Sequence, residues 1–204
     1  MSTNRRNDTL VPIVVEKEPN GYERSYDIYS RLLKDFIVFV TGPIDMGVAN
    51  TFIAQMLFLE SQDPERDIEV YINSPGGEVY AGIAMYDTIK HVKNDVVTIN
   101  VGLAASAASL LLASGSKGKR HALPNTYTLI HQPLIGNTGG QATDIEIEAK
   151  HMIKLKHQFA EIIAQNSGKT VEDTLRDMER DYWMDSKETL AYGIVDKIME
   201  SKKK

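Results

Sequence analysis

The spacing of apolar and polar residues changes several times along this chain, and each change marks an element. Short runs rich in β-branched and aromatic residues predict strands: "FIVFVTG" (36–42), "IEVYINS" (68–74), "VVTINV" (96–101) and "TYTLIH" (126–131). Between them, 47–62 and 78–93 carry apolar residues on one broad face at helical spacing, and a further helix is predicted to open at Ser106 and run through Leu112. Upstream, 10–16 reads as extended, 20–24 as a turn and 25–35 as a short helix. Downstream, 170–180 and 186–194 read as helices, the second closed by Gly193. Strands alternating with helices predict an α/β fold built from repeated strand–helix units.

The pattern then changes scale. A glycine-rich turn at 136–141 leads into a long helix predicted over 143–165, on which Met152, Leu155, Phe159 and Ile162 form a stripe. Asp144, Glu146 and Glu148 stand near its start and Lys150, Lys154 and Lys156 further along, the order the helix dipole favours. Such a helix can project from the body or pack on its own sheet, and the pattern does not choose.

Composition narrows the function classes. The chain has 204 residues, enough for one domain with a real core. A formal charge of −5, with no basic tract beyond the terminal "SKKK", argues against nucleic acid as the main partner. There is no cysteine, which excludes disulfides, thiolate metal sites and cysteine nucleophiles and suits a reducing cytoplasm. Residues 1–9 are polar and read as a disordered or removable leader without the apolar stretch of a secretory signal. No apolar run approaches the roughly 18 residues that span a membrane.

Candidate chemistry gathers at strand ends. Ser106 stands where a strand meets a helix, among the small residues Gly102, Ala104, Ala105, Ala107 and Ala108. It can be a helix N-cap, or a nucleophile whose oxyanion would meet the amide of Ala107. "GLAAS" is not the G-x-S-x-G elbow. "NSPGGE" (73–78) is either a tight turn or a loop that offers amides to a ligand. Both turns are expected at the same edge of the sheet, where α/β ligand sites form. His131 ends a strand and is either a core histidine or a base, whereas His91, His151 and His157 fall on helices among lysines and His121 falls in a basic hairpin. No histidine pair has zinc-ligand spacing, so no metal is expected. Asp181 in "ERDYWM" is either a surface charge or an orienting acid, and "GSKGKR" fails as a phosphate loop because Arg120 stands where a hydroxyl is needed.

In this order, "ERSYDIYSRLLKD", "YINSPGGEV", "GLAASAAS", "KGKRHALPN", "IHQPL", "GQATDIEIEA", "ERDYWM" and "YGIVDKI" resemble the proteolytic subunits of the ATP-dependent Clp proteases. The resemblance runs from about Leu10 to Met199, and would leave a basic tail at 200–204. It implies a crotonase-like α/β fold of repeated strand–strand–helix units with a protruding handle, about 134–165. It further implies a serine endopeptidase with Ser106 as nucleophile, His131 as base, Asp181 as orienter, and the amides of Gly77 and Ala107 as the oxyanion hole. The assembly it implies is two stacked heptameric rings, with ring contacts expected at Gln141, Leu155, Phe159 and Arg180. No cofactor is expected in this chain, because ATP is used by a partner AAA+ unfoldase that docks near Leu57, Glu69 and Tyr71. Unfolded proteins are the implied substrates and the cytoplasm the implied location, with no nucleic-acid or membrane partner.

Three departures stand against the family pattern. Ala107 replaces a usual methionine, with the expected loss of a pocket-lining side chain; Glu69 replaces an aromatic residue; and "LIGNTGGQ" is one residue longer. Together they suggest a specialised paralogue in mixed rings with a second subunit. A purely structural or regulatory subunit and a crotonase-type acyl-CoA enzyme are the competing readings.

Overall fold

The computed structural model describes residues 10–17, 21–134, 136 and 139–200, so the expected leader, nearly all of the basic tail and part of the lengthened turn lie outside the described residues. In chain order the elements are β1 (Ile13–Lys17), β2 (Glu23–Asp27), α1 (Ile28–Leu33), β3 (Ile37–Thr41), α2 (Met46–Gln62), β4 (Ile68–Ser74), α3 (Val79–His91) and β5 (Val96–Ala105). They continue as α4 (Ala107–Ser114), β6 (Arg120–Ala122), β7 (Tyr127–Ile130), α5 (Ala142–Ser167), α6 (Val171–Asp177), β8 (Tyr182–Asp185), α7 (Ser186–Tyr192) and β9 (Lys197–Ile198). The class is the expected α/β.

Side-chain alternation decides which face of the sheet is covered. In β4, Ile68, Val70, Ile72 and Ser74 are buried while Glu69, Tyr71 and Asn73 face the other way. The buried face meets helices that present apolar residues at matching spacing: Ala49, Phe52, Met56 and Leu59 from α2, and Ala81, Met85 and Ile89 from α3. Every residue of α4 is buried, as suits a helix that is apolar all round.

The sheet forks at β5. Strands β3-β4-β5-β6-β9 run parallel, with β5 pairing β6 over Thr98–Asn100. Further along, β5 pairs instead with β7 over Leu103–Ala105, and β7 carries β8 antiparallel on its far side. Two asparagines hold the fork. Buried Asn100 donates to the Tyr127 carbonyl at 2.9 Å and accepts from the Gly102 amide at 3.1 Å. Asn73 accepts from the Leu103 amide at 3.2 Å, and a Cβ on Gly102 would lie 2.6 Å from its Oδ1. Side-chain amides thus replace the backbone partners that a diverging strand pair loses.

Four expectations need correction. Residues 25–27 are strand, paired with 13–15, and the helix starts only at Ile28, capped by the Asp27 carboxylate on the Ser30 amide. The stretch expected as a basic hairpin is β6, running parallel between β5 and β9. Strands β8 and β9 were not anticipated, because four and two residues leave little period to read. On α5, Leu155, Phe159 and Ile162 are buried inside the protomer, whereas 142–150 are all exposed. Leu155 and Phe159 are therefore core residues packed in their own chain and not a free surface for a second ring.

A buried ion pair fastens the C-terminal strand. Arg120 meets Asp196 through Nε at 2.9 Å and Nη2 at 2.6 Å, and its Nη1 donates to the Asn166 carbonyl at 2.6 Å. Burial pushes the Asp196 carboxyl up, but the bonds from Arg120 and the Gly118 amide outweigh it and hold the group below its ordinary 3.8. A carboxyl depressed in the folded state stabilises the fold above its unfolded pKa, and that contribution is lost as pH falls through the folded value. Arg120→Met should destabilise the fold by about 3–5 kcal/mol at neutral pH by leaving the carboxylate unpaired. The gap between variant and wild type should shrink in acid, below 3.8, which denaturant unfolding at both pH values would show.

Candidate active site

Ser106 is set by a sharp backbone turn between β5 and α4. Its φ of 56° and ψ of −126° place a non-glycine residue in a region that L-residues avoid, costing about 1–3 kcal/mol. The surrounding bonds enforce it. The Ser106 amide donates to the Leu129 carbonyl of β7 at 2.9 Å, and the Ser106 carbonyl accepts from Ser109 N at 2.9 Å and Ser109 Oγ at 2.6 Å. The hydroxyl makes no capping bond to the helix. Between the cap and the nucleophile, the geometry removes the cap.

The glycine turn lies against this serine. A Cβ on Gly76, whose φ is +84°, would fall 2.5 Å from the Ala105 carbonyl, 2.7 Å from Ser106 Cβ and 2.9 Å from the Ala107 amide. A Cβ on Gly77 would fall 2.0 Å from the Ile44 carbonyl. Ile44 is the clamp: its amide donates to Gly76 O at 2.9 Å and its carbonyl accepts from Glu78 N at 2.8 Å, while Ser74 Oγ accepts from Gly76 N at 3.0 Å. These bonds skip the Gly77 amide. The Ala107 amide opens α4 and has no intrahelical acceptor either. Among the described residues both amides are without a partner, beside Ser106, as an oxyanion hole requires.

His131 and Asp181 are brought together by strand register. The β7–β8 ladder pairs Tyr127 with Asp185 and Ile130 with Tyr182, and the next position along it opposes His131 to Asp181. Their Nδ1 and Oδ1 lie 3.4 Å apart, with the histidine 14% exposed and the aspartate 63%. Gln132 fixes the chain just beyond, its amide donating to Met178 O at 2.8 Å and its Nε2 to Glu179 O at 2.9 Å. Ser106 follows the β5 residue paired with Leu129, so serine and histidine leave neighbouring strands at the same end. No hydrogen bond joins their side chains in this arrangement.

The remaining expected residues divide. The Ala107 side chain is 1% exposed and faces α3, where a Cβ on Gly82 would lie 2.7 Å from its own. That position is core, so the expected loss of a pocket-lining side chain is replaced by a close helix–helix contact. Glu69 and Tyr71 share the uncovered sheet face, and the Tyr71 hydroxyl donates to Glu69 Oε2 at 2.9 Å. Burial raises the Tyr71 hydroxyl, and the Glu69 bond raises it further. Tyr71 stacks on Phe39, which borders a cavity of about 510 Å³ whose lining does not include Leu57. Gln141 and Arg180 are exposed, Gln141 at the start of α5. Sequence reasoning singled out the Gly76–Gly77 turn but missed Ile44, because a lone isoleucine gives no signal.

Gly76→Ala should lower kcat on a peptide substrate by about 100-fold or more, because the added methyl displaces both the serine and an oxyanion amide. Steady-state kinetics beside circular dichroism would separate this from unfolding.

Comparison with known proteins agrees with the geometry. The profile of the Clp protease family matches residues 20–202. A protein of Streptococcus pyogenes serotype M5 (strain Manfredo), named ATP-dependent Clp protease proteolytic subunit, is 52% identical over 193 residues, covering 94% of this chain and 98% of that one. A protein of the same name from Streptococcus equi subsp. equi (strain 4047) matches to the same extent. With the fold, the forked sheet and the serine turn in place, the chain belongs to the Clp protease family.

Proposed function

We propose that this chain cuts unfolded polypeptides with Ser106 as nucleophile, His131 as general base and Asp181 as its orienter. It is the proteolytic core of a Clp protease, a serine peptidase. The observation that carries the residue assignment is the turn at Ser106, whose hydroxyl is kept out of capping while two unbonded amides stand beside it. His131 takes the proton as Ser106 Oγ attacks the peptide carbonyl, and the Gly77 and Ala107 amides receive the oxyanion. His131 then protonates the leaving amine, and water hydrolyses the acyl-enzyme by the same route. For this to occur, the 3.4 Å His131–Asp181 pair must tighten and His131 must reach Ser106. The crotonase-type alternative has no need of this serine–histidine pair.

The family implies oligomeric rings working with an AAA+ unfoldase. Within that frame, the chain uses no cofactor of its own, ATP being consumed by the unfoldase, and it acts in the cytoplasm. Among the described residues no helix is long and apolar enough to cross a membrane. The exposed first half of α5, with Ile145 and Ile147 uncovered, takes the ring–ring role expected of the handle in place of Leu155 and Phe159.

A role in mixed rings with a second paralogue is favoured by one observation, the Glu69–Tyr71 bond on the face expected to receive an apolar docking segment. A hydrated carboxylate there opposes dewetting of the pocket.

A fluorophosphonate probe should label the assembled protein at Ser106, and Ser106→Ala should abolish labelling and turnover. His131→Ala should lower turnover at least ~100-fold, since serine is a poor nucleophile without its base. Labelling of Ser106→Ala equal to wild type would overturn the assignment. Separately, Glu69→Tyr should tighten binding of a purified AAA+ unfoldase by roughly tenfold, the scale of burying one aromatic ring in place of a charge. Equal affinities for the two proteins would remove Glu69 from the docking surface.

A further inference from the structure

Tyr80 is the second residue of α3, three positions beyond Gly77 in the turn that offers the oxyanion amide. It is 58% exposed, yet it is held. Its hydroxyl lies 2.5 Å from Nε2 of His151 on α5, and the two rings stack with centroids 6.2 Å apart and planes 16° from parallel. Either group can donate in this bond, the imidazole tautomer setting which one does.

The location of this contact gives it leverage. From Leu155 onward α5 is seated in the core by Leu155, Phe159, Ile162 and Ile163, and before position 151 every residue of the helix is exposed. Among the described residues, His151 is the most N-terminal side chain of α5 bonded to a different element. It stands where the helix leaves the body. The other side of the contact is rigid. Glu78 is bonded to Ile44, and Gly82 meets Ala107 so closely that an added Cβ would lie 2.7 Å from the alanine's own. The first turn of α3, the glycine turn and the Ala107 amide therefore move as one piece, and Tyr80 is where that piece touches the handle.

We propose that Tyr80 and His151 are a positioning pair, through which the seating of α5 sets the oxyanion amides of Gly77 and Ala107 relative to Ser106. The proposal rests on the catalytic reading of those residues. A load placed on the exposed half of α5 by another subunit reaches the body first at His151. Asn166 ties the later turns of α3 to the seated end of α5 through Tyr86 and Lys90, so a shift at His151 is passed to the first turn of α3 and the glycine turn before it. Neither side chain touches the reacting atoms. Their effect falls on stabilisation of the oxyanion and not on substrate binding, so it belongs in kcat and not in KM.

The test uses the assembled full-length protein with a small fluorogenic peptide substrate. Tyr80→Phe keeps the ring stack and deletes only the hydrogen bond. It should lower kcat by roughly three- to tenfold, the scale of one hydrogen bond, with KM changed by less than about twofold. His151→Leu should do the same, and the double variant should be no worse than either single one, since the pair acts as a unit. His151→Gln, which keeps a hydrogen-bonding side chain of either role, should recover part of the loss. Native mass and thermal midpoint should match wild type throughout. Unchanged kcat in both single variants, additive losses, or losses that track a lower native mass or midpoint would each overturn the proposal. Failure of the wild type to label at Ser106 is a different result: it removes the catalytic reading, and the pair's role with it.

Discussion

The backbone of Ser106 is the constraint around which the molecule is arranged. A positive φ at a residue with a side chain does not persist alone. It is held by one hydrogen bond to β7, two to Ser109, and a buried α4 that cannot rotate to relieve it. Each has a counterpart in composition. The short residues Ala104, Ala105, Ala107 and Ala108 let the strand run into the helix without a side-chain collision, Gly76 lets a second backbone approach to within contact of the serine, and Gly77 lets Ile44 clamp it there. The turn aims the hydroxyl away from the helix amides that a serine at this position would otherwise cap.

The fork in the sheet places the other partners. Had β5 continued to pair only with β6, the strand bearing His131 would have had no place beside Ser106. Asn73 and Asn100 make the divergence affordable by supplying hydrogen bonds where the backbones separate. Once β7 lies against the end of β5, the antiparallel ladder to β8 does the rest. Its register carries Asp181 opposite His131 with no special motif in either sequence. The acid is exposed and the imidazole mostly covered, so the pair is open to solvent on the aspartate side.

How much of this could be read from residues follows from the length of each signal. β3, β4, α2 and α3 were placed to within about two residues, because each offers enough positions for its period to show. Ser106 and the glycine turn were visible as oddities, a hydroxyl and paired glycines where strands should end. β8 and β9 were not visible, because four residues that include an exposed Trp183, and two residues, have no face to declare. The hairpin expected around His121 failed for a related reason: three residues of strand in a parallel position look like a basic turn until their partners on β5 and β9 are known. The stripe on α5 was read correctly as apolar, but periodicity names a buried face without naming what buries it. The clamp at Ile44 left no trace at all, since its work is done by backbone atoms.

The departures from the family pattern fall into two kinds once each side chain has a place. Ala107 lies in the interior, where its small size matches Gly82 across the α3–α4 contact. At that contact α4, which begins with the Ala107 amide, is drawn against α3, which follows the turn bearing the Gly77 amide, so the small residue bears on how firmly the amides are held. Glu69 lies on the uncovered sheet face, where it binds Tyr71 and leaves the buried face of β4 untouched. A change there leaves the core face of the strand, and the glycine turn it leads into, as they are. The fold separates the two because β4 alternates: Ile68, Val70 and Ile72 pack into the core from one face, and Glu69 and Tyr71 stand on the other.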